Sequence, residues 1–105
     1  MLRIYRDALE VVRDAAAVAG AVGAHDADLA RQLRRAAASI ALNIAEGSGQ
    51  RDGNRRQRYL TALGSAEEVR ACADVAQALG YIGPMGPDAA SRLRQVVGTL
   101  VLLTR

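Results

Sequence analysis

The chain has 105 residues, 50% of them hydrophobic and 24% charged, with a formal net charge of +3, which suits one soluble domain and leaves no room for a second. A single cysteine, Cys72, rules out an internal disulfide framework, and with His25 as the sole histidine there is no His/Cys zinc site. The longest run of large apolar residues, Leu100–Leu103, is far short of a membrane span, and the start Leu2-Arg3-Ile4-Tyr5-Arg6-Asp7 lacks the apolar stretch of a secretory leader, so a cytoplasmic protein without membrane contact is expected.

Residues 2–19 place Leu2, Tyr5, Leu9, Val12, Ala16 and Ala19 at intervals of three and four, with a second stripe through Ile4, Ala8, Val11, Ala15 and Val18. The spacing predicts a helix whose apolar face is wider than a lone bundle helix needs. Gly20 and Gly23 are expected to end it, and Asp26 or Asp28 to cap the next. The second helix carries Leu29, Leu33, Ala36, Ile40 and Ile44 on one stripe and runs to about Ala45. There Gly47-Ser48-Gly49 breaks it, with Gly47 supplying the left-handed residue of the cap.

Asn54 followed by Gln57 reads as a capping box and starts the third helix at Arg55. Its stripe is Tyr59, Ala62, Ala66, Val69, Ala73 and Ala76, flanked by Leu63, Cys72 and Leu79. Gly80–Gly86 forms a turn, and Pro87 suits the first position of a last helix with Leu93, Val96, Leu100 and Leu103 on one side and Val97 and Val101 alongside. No run alternates with period two. The fold class expected is all-α: an antiparallel up-down-up-down four-helix bundle forming one domain over residues 1–105.

The composition bears on its stability. Twenty-two residues are Ala and only 3% are aromatic, and every basic residue is Arg. Alanine buries little area at about 25 cal/mol per Å², so a core of this kind calls for close helix packing, self-association or both. The surplus apolar stripes on the first and last helices are where a second copy would dock. The absence of Lys looks like the codon bias of a GC-rich genome.

The string Gln32-Leu33-Arg34-Arg35-Ala36-Ala37-Ala38-Ser39-Ile40-Ala41-Leu42-Asn43-Ile44-Ala45-Glu46-Gly47-Ser48-Gly49 resembles a known family, the four-helix-bundle proteins encoded within 23S ribosomal RNA intervening sequences. Tyr59-Leu60-Thr61-Ala62-Leu63-Gly64-Ser65-Ala66-Glu67-Glu68-Val69 and Leu79-Gly80-Tyr81-Ile82 follow at the family's spacing. The resemblance implies a small cytosolic bundle assembling as a ring, a homopentamer. It also implies, for one branch, a role beside the reverse transcriptase of diversity-generating retroelements, binding that enzyme and nucleic acid. This chain departs from the family in a shorter first link, without the usual aromatic and proline, and in the density of Arg after Gly49.

Arg35, Ser39, Asn43 and Glu46 recur at four, four and three, so they line one face of the second helix. Ser65 and Glu68 are neighbours on the third. In an antiparallel pair turning near residue 51, facing positions sum to roughly 103, which sets Arg35 against Glu68 and Ser39 against Gly64 and Ser65, with Gly64 admitting a close approach. Such a strip is either a polar pocket, or a network that fixes helix pairing or a subunit contact. Glu46 is expected to bridge to Arg56 across the turn.

The loop Gly47–Gly53 has neither the Gly-Lys-Ser/Thr nor the preceding strand of a phosphate-cradling loop. Arginine is the stronger signal. Arg31, Arg34, Arg35, Arg51, Arg55, Arg56 and Arg58 stand against only Glu46 and Asp52 between residues 31 and 58, a local charge of +5. Arg31, Arg34, Arg51, Arg55, Arg56 and Arg58 are therefore candidate nucleic-acid contacts at one end of the bundle. The competing reading is a solvated basic face. Tyr59 is the only aromatic among them, so binding would be sequence-tolerant and salt-dependent.

His25 in a Gly/Ala/Asp turn reads as a surface residue, Cys72 as core, and Glu67-Glu68 as too poorly aligned for a catalytic dyad. No motif calls for a cofactor. The expectation is a non-enzymatic homo-oligomer that binds RNA, DNA or a nucleic-acid-handling enzyme through its basic end. The alternative is a structural module that binds only proteins.

Overall fold

A computed structural model describes residues 2–105, with Asp52 by its backbone only. Four helices follow one another: α1 (Arg3–Gly23), α2 (Ala27–Ser48), α3 (Asp52–Ala78) and α4 (Pro87–Leu103). No strand occurs among the described residues. The connections are short enough that consecutive helices must reverse direction, and the molecule measures 43 × 25 × 22 Å. Contacts at both levels of the bundle show the antiparallel order. Asp14 of α1 meets Arg92 of α4 at mid-height, and Arg56 near the start of α3 meets Thr104 at the end of α4.

Alanine decides how the helices pack. Of 23 buried hydrophobic residues, eleven are Ala, and they occupy α1, α2 and α3. Side chains that small let backbones approach, and α2 packs extensively on both α1 and α3. The larger buried groups, Leu33, Ile40, Ile44, Val22, Val96 and Leu100, fill the centre. α4 sits more loosely, against α1 and α3 only. It leaves Val101, Leu102 and Leu103 exposed at its end, with Leu2 exposed at the start of α1.

The caps explain where the helices begin and end. Asp26 caps α2 as its sequence position predicts, its Oδ1 accepting from the Leu29 N–H at 2.9 Å. Pro87 opens α4. α3 ends in a Schellman motif: Gly80, at φ 78°, donates to the Gln77 carbonyl, and Tyr81 donates to that of Ala76. Tyr81 then stacks on His25 with ring centroids 5.0 Å apart, which ties the α1–α2 and α3–α4 connections together.

Three boundaries and one helix contact differ from expectation. α1 runs through Gly20 to Gly23, because Ala19 and Val22 continue its buried stripe. α2 runs past Ala45 to Ser48, so Gly47 is helical and supplies no left-handed cap; Gly80 has the one positive φ among the described glycines. Gly47 is required for another reason: a Cβ there would stand 2.6 Å from Tyr59 Cε1. α3 begins at Asp52, three residues early, which puts Asn54 inside the helix and leaves no capping box. Gly64 is exposed with nothing within 4 Å of a built Cβ, so the close approach of α2 and α3 occurs at Gly47 and not at Gly64.

Candidate nucleic-acid interface

The α2–α3 hairpin brings its polar residues together at the predicted register. Ser65 donates its hydroxyl to Ser39 Oγ at 2.7 Å, and Asn43 Nδ2 donates to the Ser39 carbonyl at 2.9 Å and to Ser39 Oγ at 3.0 Å. Arg58 reaches across from α3 to Asn43 Oδ1 at 3.4 Å and to Glu46 Oε2 at 3.7 Å. The expected bridge from Glu46 to Arg56 does not form. Arg58 lies two residues further along α3, on the side that faces α2, while Arg56 points to α4 and donates its Nε–H to the Thr104 carbonyl at 3.0 Å.

The strip thus divides in two. Toward the turn, Arg58 meets Asn43 and Glu46, and Asn43 links that group to Ser39. Further along, Gln32, Arg35, Ser39, Ser65 and Glu68 line an open depression of about 480 Å³. Arg35 and Glu68 share that depression without forming an ion pair, both side chains being exposed. Arg35, Asn43, Glu46 and Glu68 therefore do not converge on one point, as an acid–base centre would need. No group of three metal-ligating side chains occurs among the described residues. Burial, with the Glu68 carboxylate adding to it, pushes the Cys72 thiol above its ordinary range, away from the thiolate that a nucleophile needs.

The arginines are not all at one end. Arg31 lies roughly 25 Å from Ser48 along α2 at 1.5 Å per residue, and it pairs with Asp28. Arg34 is only three residues nearer the turn. The geometry groups Arg51, Arg55, Arg56 and Arg58 about the start of α3 and separates Arg31 and Arg34 from them. Of the grouped four, Arg56 is tied to α4, Arg58 to α2, and Arg55 donates its Nε–H to the Gln50 carbonyl at 3.0 Å.

The topology adds arginines that the run between residues 31 and 58 does not contain. Arg3 and Arg6 start α1 and Arg105 follows α4, and both of those ends lie beside the α2–α3 turn. A plane across the middle of the bundle leaves seven arginines and four acids in the half holding the turn, and seven of each in the other half. The entire net charge of +3 is therefore at one end.

A four-helix bundle of small-residue packing with one basic end is the class of protein that these features define. The profile of the 23S rRNA-intervening sequence protein family matches residues 1–97, and the chain belongs to that family. The fold is similar to the crystal structure of a protein of unknown function from the S23 ribosomal protein family of Bacteroides thetaiotaomicron VPI-5482, with a TM-score of 0.87 at 15% identity over 97% of this chain and 98% of that one. At that identity the likeness extends to the fold. No curated protein matches the sequence. No helix among the described residues is long and apolar enough to cross a membrane.

Proposed function

We propose that this protein is a non-enzymatic, cytoplasmic homo-oligomer, a pentameric ring, that binds the phosphate backbone of RNA or DNA through the end bearing the α2–α3 turn. The observation that carries this reading is the concentration of the whole net charge of +3 in that half of the bundle. Rotational symmetry would repeat the basic end around a ring and sum its potential. Support for assembly comes from the exposed apolar side chains of Leu2 at the start of α1 and of Val101, Leu102 and Leu103 at the end of α4. The contacts named are Arg51, Arg55 and Arg58 with Arg3, Arg6 and Arg105; Arg31 and Arg34 would contribute only where a ligand runs along α2. Fluorescence anisotropy with labelled RNA and DNA tests this. Arg51→Ala with Arg55→Ala should weaken binding at least about tenfold, and Arg94→Ala, midway along α4, should leave it unchanged. Equal effects of both sets would defeat the assignment.

A second reading rests on the same apolar residues of α4: a docking module for a protein partner, such as a nucleic-acid-handling enzyme of the reverse-transcriptase kind. In that case Leu102→Asp would abolish capture of the partner, and nuclease treatment would not.

A further inference from the structure

The basic end contains a depression whose apolar floor the polyanion reading does not use. Leu2, Arg3 and Ile4 of α1's start, Ser48 of α2, Arg55 and Tyr59 of α3, and Thr99 and Leu103 of α4 enclose about 570 Å³ open to solvent. All four helices contribute, because this is where two helices start and two end. Its floor is apolar: Ile4 and Tyr59 are core residues, and the Tyr59 ring is held against Gly47. Leu2 and Leu103 form the exposed lip.

The polar groups around that floor are one-sided. Ser48 spends its hydroxyl hydrogen on the Ala45 carbonyl and Thr99 spends its own on that of Gln95, so each offers only an acceptor. The charged donors are Arg3 and Arg55. Arg55 uses Nε–H on Gln50, which leaves its terminal nitrogens for the depression. No acidic side chain among the described residues lines it. The carbonyl end of α4, which would repel an anion, is already met by Arg56 at Thr104. Two guanidinium groups above an apolar floor of ligand size complement an anion carried on a hydrophobic body.

We infer that the depression between Arg3 and Arg55 binds a small organic anion, a carboxylate or phosphate monoester on an aliphatic or aryl body. The anionic group sits between the two guanidinium groups, and the body lies on Ile4 and the Tyr59 ring behind Leu2 and Leu103. The site shares Arg3 and Arg55 with the proposed nucleic-acid contacts but adds an apolar floor that a phosphate backbone does not fill, and it stands whether or not the protein binds nucleic acid. Backbone-amide NMR titration of the full chain with octanoate, octyl phosphate and octanol tests it. Either anion should give saturable shifts centred on residues 2–4, Ser48, Arg55 and Leu103, and octanol should bind at least about tenfold more weakly. Arg3→Ala and Arg55→Ala, both at exposed side chains, should each weaken the anion about tenfold. Arg94→Ala, beside the α3–α4 groove, should leave it unchanged. The stronger of the two anions identifies the head group. Non-saturable shifts, octanol binding as well as octanoate, or affinity indifferent to Arg3 and Arg55 would each overturn the inference.

Discussion

Replacing Gly47 by alanine should destabilise this protein although alanine is the better helix former. The added Cβ would stand 2.6 Å from Tyr59 Cε1, 2.8 Å from Cδ1 and 3.2 Å from Arg58 Cβ. Carbon atoms rest comfortably at about 3.5–4.0 Å, so the ring or the helix must retreat by nearly 1 Å. The ring has nowhere easy to go, being 3% exposed and packed among α1, α2 and α3 residues of the core. Overpacking of this kind costs about 1–3 kcal/mol, and the helix-propensity gain of alanine over glycine returns about 0.5–1 kcal/mol. The net expectation is a loss of about 0–2.5 kcal/mol, centred near 1, in urea unfolding followed by far-UV circular dichroism. Gly64→Ala is the matched control: the site is helical and exposed with nothing within 4 Å, so it should gain about 0.5–1 kcal/mol. In a Tyr59→Leu background the Gly47→Ala loss should shrink or change sign. If Gly47→Ala is as stabilising as Gly64→Ala, the account of the α2–α3 contact is wrong.

Other outcomes follow from single contacts. Asp26→Ala removes the α2 cap and should cost about 1 kcal/mol by the same assay. Arg92 donates from Nε and Nη2 to the two Asp14 oxygens at 2.7 and 2.8 Å, and with α4 otherwise loosely held, Arg92→Ala should lower the urea midpoint, and by less at high salt. The raised Cys72 thiol has a signed consequence. The unfolded chain loses that proton first, so the contribution is constant below the ordinary thiol range and stability falls as pH rises through it. Cys72→Ala should remove that alkaline slope, and Cys72 in the folded protein should react with iodoacetamide more slowly than in the unfolded chain.

The hairpin register was readable from the chain because it follows from counting. Turning α2 and α3 near residue 51 sets Ser39 beside Ser65, and their hydroxyls meet at 2.7 Å. Asp26 and Pro87 announced their helix starts for equally local reasons. Gly47 misled because a glycine ahead of Ser48-Gly49 has the look of a helix stop, and only the position of Tyr59 across the hairpin shows what it is for. The sequence offers Arg56 the acid across the turn, Glu46, yet its partner is Thr104, 48 residues away. The depression between Arg3 and Arg55 is of the same kind, since it draws on all four helices and no window of sequence contains it. Arg31 is close to the basic run in the chain and far from it in space, because the length of α2 separates it from the turn.

The claim that the basic end engages nucleic-acid phosphates is tested most directly by the salt dependence of binding. Measured between low and physiological salt, log K against log salt should fall linearly, with a slope of about −0.9 per phosphate contacted on duplex DNA. Replacing Arg51, Arg55 or Arg58 by alanine should each reduce that slope by about 1, uniformly across sequences, whereas Arg94→Ala should not change it. A slope near zero, or one unaffected by those three arginines, would contradict the account.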